Sequence, residues 1–222
     1  MVVTERTAYL LAACGGKTVL HLGCSDSPYT EVRLKDHSLL FEQIDTVAAR
    51  QIGLDFDPEG VGRMVAAGLQ RVYVGDANDP GNEAYAADRF DIIIAGEIIE
   101  HIADLGAFLG AIRALMERDG AQLILTTVNA YCGYRFVQML LTGRENVHPD
   151  HICYFSRGTL ETLLRRASLR IVDFAYYPVG SEHKRGLNKG RTRLLWWVDK
   201  IARRWFPQLS DGLIALCAVE SL

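Results

Sequence analysis

Short apolar runs recur along the chain, separated by stretches with helical spacing. Thr18–Leu22, Gln51–Leu54, Arg71–Val74, Asp91–Ala95 and Gln122–Leu125 are five such runs, each almost continuously apolar. A strand covered on one face alternates apolar and polar residues. Runs without alternation predict strands buried on both faces, as in a parallel sheet. Leu105, Phe108, Leu109, Ile112, Leu115 and Met116 fall on one side of a helix, with Asp104 placed to cap its start and Gly120 its end. Leu160, Leu163, Leu164 and Ala167 predict another amphipathic helix behind the N-cap Ser156. Two further strands are predicted at about 170–176 and 213–219. Strand–helix alternation of this kind predicts an α/β fold.

Composition narrows the picture. With 222 residues, 49% hydrophobic and 23% charged, the chain reads as one domain over 1–222 with a core of its own. The net charge of -3 gives no global reason to expect nucleic acid. The charge is uneven, however: residues 183–204 hold eight Lys/Arg and one acid. That stretch lies within a basic, Trp-rich helical insertion at about 180–210, before the last strand. The five cysteines are scattered and form no CxxC, which predicts free thiols in a reducing, cytoplasmic compartment. Leu11–Cys14 looks like a lipoprotein cleavage site, but the preceding apolar run is short and carries Glu5 upstream, so no signal peptide is read. No run approaches the ~20 apolar residues that span a bilayer.

In a doubly wound sheet, ligands sit beyond the carboxyl ends of the strands. Here those ends carry a consistent polar set. The first ends in Gly23-Cys24-Ser25-Asp26-Ser27-Pro28, where Gly23 lets a ligand approach the backbone. The second ends in Asp55-Phe56, whose carboxylate can accept both hydroxyls of a ribose. The third ends in Gly75-Asp76-Ala77, a carboxylate beside a small residue, suited to an adenine amino group. The fourth ends in Gly96-Glu97.

Taken in order, VLHLGCSDSPYT, IGLDFDPEGV, VYVGDAND, RFDIIIAGEIIEHI and GAQLILTTVNAY resemble the class I S-adenosylmethionine-dependent methyltransferases. The resemblance continues through HPDHICYFSRGTLETLLRRASL, as in small-molecule and sugar-pathway members, and so covers about residues 17–178. It implies a Rossmann-like, doubly wound seven-stranded sheet with helices on both faces and the last strand antiparallel. It also implies S-adenosylmethionine as cofactor. Gly23 would carry the methionine part, in one loop with Cys24 and Ser25. Asp55 would hold the ribose, Asp76 the adenine amino group and Glu97 the methionyl end, with His21, Phe56 and Ala77 in the same donor site. Two departures stand out. Ser25 and Ser27 occupy positions where the family usually has glycine, and His21 stands where an acid is usual. Asp26 is the candidate for that missing charge. Asp55 follows Gly23 by 32 positions rather than the ~20 of a dinucleotide fold, which predicts an excursion at 28–37 near the site. GxGxxG is absent, which weighs against NAD.

Methyl transfer from a sulfonium is an in-line displacement, so alignment is the main requirement. A hydroxyl or ammonium acceptor must also lose a proton to a base. The candidates are His151, His148 and His101. His151 is first, in the segment His148-Pro149-Asp150-His151 after the fifth strand, where Asp150 or another carboxylate would orient it; the other reading is a loop anchor. For His101, beyond Glu97 and Glu100, a structural role is favoured. His148, His151 and Cys153 lack a second Cys or a firm carboxylate set, so no metal is expected. Tyr131, Tyr134 and Tyr154 are candidates for the acceptor pocket or the core.

In 189–206, Leu194, Val198, Ile201 and Trp205 share one helical face, with Trp197 beside it. That face is read either as packed on the domain, as a lid, or as an interfacial surface touching anionic lipid at the inner membrane face. Nucleic acid is disfavoured because no RNA-binding module accompanies the basic stretch. The expected activity is methylation of a small molecule or glycan, at oxygen, in polysaccharide or specialised-metabolite biosynthesis. The competing readings are a non-catalytic donor-binding protein and an RNA methyltransferase.

Overall fold

Every central strand of the protein has two apolar faces, and helices cover both. The structure, a computed structural model, describes residues 2–79, 86–145, 147–179 and 189–220; the side chains of Val2 and 189–194 are outside this set. The chain runs β1 (Val2–Val3), α1 (Arg6–Cys14), β2 (Thr18–Leu22), α2 (Thr30–Lys35), α3 (Leu40–Asp45), β3 (Arg50–Asp55), α4 (Pro58–Ala66), β4 (Val72–Val74) and β5 (Ile92–Gly96). It continues through a 3-10 turn (Ile99–His101), α5 (Leu105–Asp119), β6 (Gln122–Val128), α6 (Gly133–Thr142), α7 (Arg157–Arg166), β7 (Leu169–Tyr177), α8 (Lys189–Trp205) and β8 (Gly212–Val219).

The sheet order is β1-β7-β8-β6-β5-β2-β3-β4. Strand β8 runs antiparallel to both β6 and β7, and the other pairs are parallel. The seven expected strands are therefore present, with the last one antiparallel. The two-residue β1 adds an edge beside β7, anchored where Thr4 N donates to Tyr176 O at 2.9 Å.

Single-residue alternation divides the core in two. Leu20, Leu22, Ile93, Ala95, Leu123 and Leu125 pack with Phe108, Leu109 and Ile112 of α5 and with Leu160 and Leu164 of α7. Val19, Ile92, Ile94 and Ile124 face the opposite layer, against Leu10 and Cys14 of α1 and Ile44 of α3. Each such side chain contributes about 1.5–3 kcal/mol on burial. The helix ends are set locally. The Asp104 carboxylate accepts from Ala107 N at 2.9 Å, Gly120 takes the left-handed φ of 70°, and Ser156 forms a capping box with Thr159.

The strand order reverses between β2 and β5. Chain from β2 winds outward through β3 and β4, and chain from β5 through β6. The crevice at this reversal lies beyond the strand ends that carry Gly23 and Glu97. The insertion forms helix α8, packed beside α6. Its inward residues are Asp199 and Arg203, at 7% and 5% exposure, while Trp197, Val198, Ile201 and Trp205 face out. The face expected to pack on the domain is thus the exposed one. Residues 180–188 of the insertion lie outside the described residues. No helix of the described residues is long and apolar enough to cross a membrane.

Candidate active site

On the β2–β4 side, backbone geometry fixes the polar set. Gly23 has φ 69°, and a Cβ there would lie 2.5 Å from Ile98 Cγ2, so the turn requires glycine. Asp55 is buried. Its Oδ2 accepts from Ser25 N at 2.8 Å and its Oδ1 from Asp57 N at 3.0 Å, which ties the end of β3 to the turn after β2. Each oxygen retains a further lone pair for a ligand hydroxyl. Ser25 Oγ is buried without a hydrogen-bond partner. Phe56, 81% exposed, stands beside them. Asp76 is exposed and accepts from Asn78 N at 2.8 Å, with Ala77 half-buried next to it.

Two members of the expected donor set point elsewhere. Cys24 packs its side chain with Phe41, Val61 and Met64, and burial pushes its thiol well above the usual range. Only its backbone is left to face a ligand. His21 shares the strand face of Val19, and its ring stacks on Phe41 of α3 at 6.1 Å. Burial, then the charge of Arg6, lowers its pKa to about 3. A neutral, enclosed imidazole supplies no charge to an ammonium. Asp26 sits at φ 53° and is paired with Arg33 Nε of α2 at 2.9 Å.

On the β5–β6 side lies a cavity of about 590 Å³. Its walls include Tyr29 and Arg33 from the excursion, Glu97, Tyr134 and Arg135 from α6, and His148, His151, Tyr154 and Tyr177. Gly23, Asp55 and Asp76 do not line it. Tyr131, 66% exposed, does not line it either. Glu97 has φ 57°, and Tyr177 OH donates to its Oε1. Burial holds the Tyr177 phenol well above its ordinary pKa, so it keeps the proton it donates. Gly212 makes room for that ring, since a Cβ there would fall 2.0 Å from it.

The three candidate histidines meet. Ring centroids are 4.6 Å apart for His101 and His151, 4.9 Å for His148 and His151, and 5.9 Å for His101 and His148. Burial, then the neighbouring histidines, lowers the His151 pKa to about 4; burial also lowers that of His101. Asp150 does not orient His151 directly. Its carbonyl lies 3.1 Å from His101 Nδ1, and its carboxylate lies 3.8 Å from His148 Nδ1.

Sequence reasoning missed two residues. Arg6, at the start of α1, donates through Nε to Thr126 Oγ1 at 3.0 Å, and its charge acts on Glu100, Asp26 and Tyr177. Nothing local in the sequence marks it. Glu100 is fully buried. Its Oε2 accepts from Thr127 Oγ1 at 2.9 Å, and its Oε1 has no hydrogen-bond partner. Burial, then the charge of Glu97, raises its pKa to about 8. The spacing GEIIEH was the available signal.

The model of the methyltransferase-domain family matches residues 5–173. The chain belongs to the class I S-adenosylmethionine-dependent methyltransferases. This methyltransferase is 30% identical over 156 residues to the ubiquinone biosynthesis O-methyltransferase of Rhodopseudomonas palustris strain HaA2, covering 70% of this chain and 54% of the relative. The namesake from Cereibacter sphaeroides is 30% identical over 159 residues, with 66% and 63% covered. The chain spans about half the length of the first of these relatives. Among solved structures, the YcgJ protein of Bacillus subtilis aligns with a TM-score of 0.58 at 14% identity, covering 97% of this chain and 98% of that one. Magnesium protoporphyrin IX methyltransferase of Synechocystis, with bound S-adenosylhomocysteine, gives 0.52 at 16%, covering 97% and 80%. A small RNA methyltransferase gives 0.60 at 18%, covering 98% of this methyltransferase and 25% of that chain. These structural likenesses speak for the fold. The cofactor of the methyltransferase is S-adenosylmethionine.

Proposed function

We propose that the enzyme methylates a hydroxyl oxygen of a small molecule, of the kind its relatives' names place in ubiquinone biosynthesis. The observation that carries this reading is the cavity that Glu97, Tyr134, Tyr154 and Tyr177 line together with His148 and His151, the last with its pKa lowered by burial. In the proposed donor site, Asp55 takes the ribose hydroxyls, Asp76 the adenine amino group, and Glu97 the methionyl end. Phe56 offers an exposed ring to the adenine face. The acceptor oxygen attacks the methyl carbon as the carbon–sulfur bond breaks. The bonding pair leaves with sulfur, and the sulfonium becomes a thioether. A histidine of the cluster takes the acceptor's proton, and an imidazole with a lowered pKa is free to accept it at neutral pH. The glycan acceptor suggested by the sequence gains no support from the relatives' names. The RNA reading rests on one fold likeness and on no nucleic-acid module.

Two variants test the assignment. Asp55→Ala should weaken S-adenosylhomocysteine binding by about 1–3 kcal/mol in calorimetry, through lost hydrogen bonds; wild-type affinity would remove Asp55 from the donor site. His151→Ala should lower kcat by about 100-fold or more and leave donor affinity intact. Wild-type turnover would show that the cluster handles no proton.

A second reading concerns location. Trp197, Ile201 and Trp205 of α8 and Phe136 and Leu140 of the adjacent α6 are exposed. Lys200 Nζ lies 5.2 Å and 5.3 Å from the rings of Trp196 and Trp197. Apolar rings beside a cation suit the headgroup layer of an anionic membrane, which supports peripheral contact through 189–206.

A further inference from the structure

We propose that Arg33 and Arg135 select an acceptor carrying an anionic oxygen group, a carboxylate or a phosphate, and that this group anchors the acceptor while its hydroxyl meets the histidines. Both side chains are half-buried on the wall of the cavity. Neither has its donors used up. Arg33 gives Nε to the Asp26 carboxylate at 2.9 Å, and its Nη groups have no hydrogen-bond partner among the described residues. Arg135 gives Nη2 to the Asp211 carbonyl at 2.9 Å and forms no ion pair among the described residues. A guanidinium presents a planar fork of N–H donors that matches the oxygens of a carboxylate or phosphate.

The carboxylates that share the wall are turned elsewhere. Glu97 accepts from Tyr177 OH, and Asp211 faces Arg203 Nη1 at 3.0 Å and Val179 N at 2.9 Å. Asp36, exposed at the end of α2, forms no ion pair with either arginine. Val128, Val147, Pro149 and Val179 supply apolar wall around them, and an anion is held more firmly there than in open water. A neutral acceptor strips water from these N–H groups and gives nothing back. A wall built on such donors therefore discriminates against it.

The acceptor role, though not the anion site itself, rests on the methyl-transfer reading above. Arg135 Cζ lies 5.2 Å from the Tyr154 ring centre, and that ring lies 5.5 Å from His151. Tyr154 thus adjoins both the cation and the proposed base. One small molecule is held at two points, by its anionic group and by its hydroxyl, and this fixes the line of attack on the methyl carbon.

The test titrates full-length protein with benzoate, phenyl phosphate and the uncharged isostere benzamide, in phosphate-free buffer at fixed ionic strength, with and without S-adenosylhomocysteine. Ligand NMR line broadening reads the affinities. The wild type should hold at least one anion about 30-fold more tightly than benzamide, and the better anion tells phosphate from carboxylate. Arg135→Gln and Arg33→Gln should each lower that preference about tenfold. Arg135→Lys, which keeps the charge and loses the fork, should fall between. The ratio is the readout because a variant that merely loosens the wall weakens all three probes alike, and that result overturns the site. So does a wild type without preference, or an unchanged preference in both Gln variants; loss in one alone upholds the site at that arginine. Displacement of the anions by S-adenosylhomocysteine also overturns it, since the arginines then serve the donor's own carboxylate. Arginine-dependent anion binding by a protein that ignores S-adenosylhomocysteine would uphold the site and bring down the methyl-transfer reading instead.

Discussion

Helices α5 and α8 carry the same kind of apolar stripe and use it in opposite ways. In α5 the stripe is the contact with the sheet: Phe108, Leu109, Ile112, Leu115 and Met116 are 0–7% exposed. In α8 the corresponding residues Trp197, Val198, Ile201 and Trp205 are 50–76% exposed, and the buried side holds Asp199 and Arg203. Periodicity states that a helix has an apolar face. It does not state what that face meets. What decides the matter in α8 is an ion network. Arg203 reaches Asp199 Oδ2 at 3.3 Å and Asp211 Oδ2 at 3.0 Å. Asp211 also accepts from Val179 N at 2.9 Å and from Cys132 Sγ at 3.3 Å. The network joins α8 to the start of β8 and to the N-cap of α6, on the wall of the cavity that Glu97 and His151 line.

The two packing modes should fail differently. Arg203→Ala should give the largest loss, about 3–5 kcal/mol, because two buried carboxylates lose their guanidinium. Urea unfolding measures it, and a loss under ~1 kcal/mol would mean that the inward ion network does not hold α8. Ile112→Ala in α5 should cost about 2–4 kcal/mol, from lost transfer energy and the cavity left behind. A near-neutral result there would erase the distinction between the helices.

How far the sequence could be read follows from the same contrast. The strand runs were legible because burial on both faces leaves few polar positions; the run at 91–95 became β5, Ile92–Gly96. The strand-end positions proposed for the donor could be located because strand ends are fixed once the strands are. His21 was misplaced through parity: it shares its face with Val19, which α1 and α3 cover, so Phe41 rather than a ligand meets its ring. Counting alternate positions along β2 would have shown this. The cavity side was less legible because its contacts join distant residues. Tyr177 meets Glu97 across 80 positions, and Arg6 meets Thr126 across 120. Only the insertion of β8 between β6 and β7, and the edge pairing of β1, bring these partners together. The three histidines were named from composition and loop position, but their convergence with Glu100 depends on Ile152 N donating to Glu100 O at 2.9 Å.

The smallest effect on the fold is expected at the outer face of α8. Trp197→Ser, Ile201→Ser and Trp205→Ser together remove apolar surface that touches little protein. Each should change stability by no more than about 0.5 kcal/mol. If that face meets a membrane, the same triple variant should lose sedimentation with phosphatidylglycerol vesicles that the wild type shows, and added salt should weaken the wild-type binding through its Lys and Arg component. A stable triple variant that still sediments would place the contact elsewhere, with Phe136 and Leu140 of α6 next to be changed. A wild type that does not sediment ends the membrane reading. A triple variant that unfolds like Arg203→Ala would show that both faces of α8 are packed, and would remove the contrast with α5 altogether.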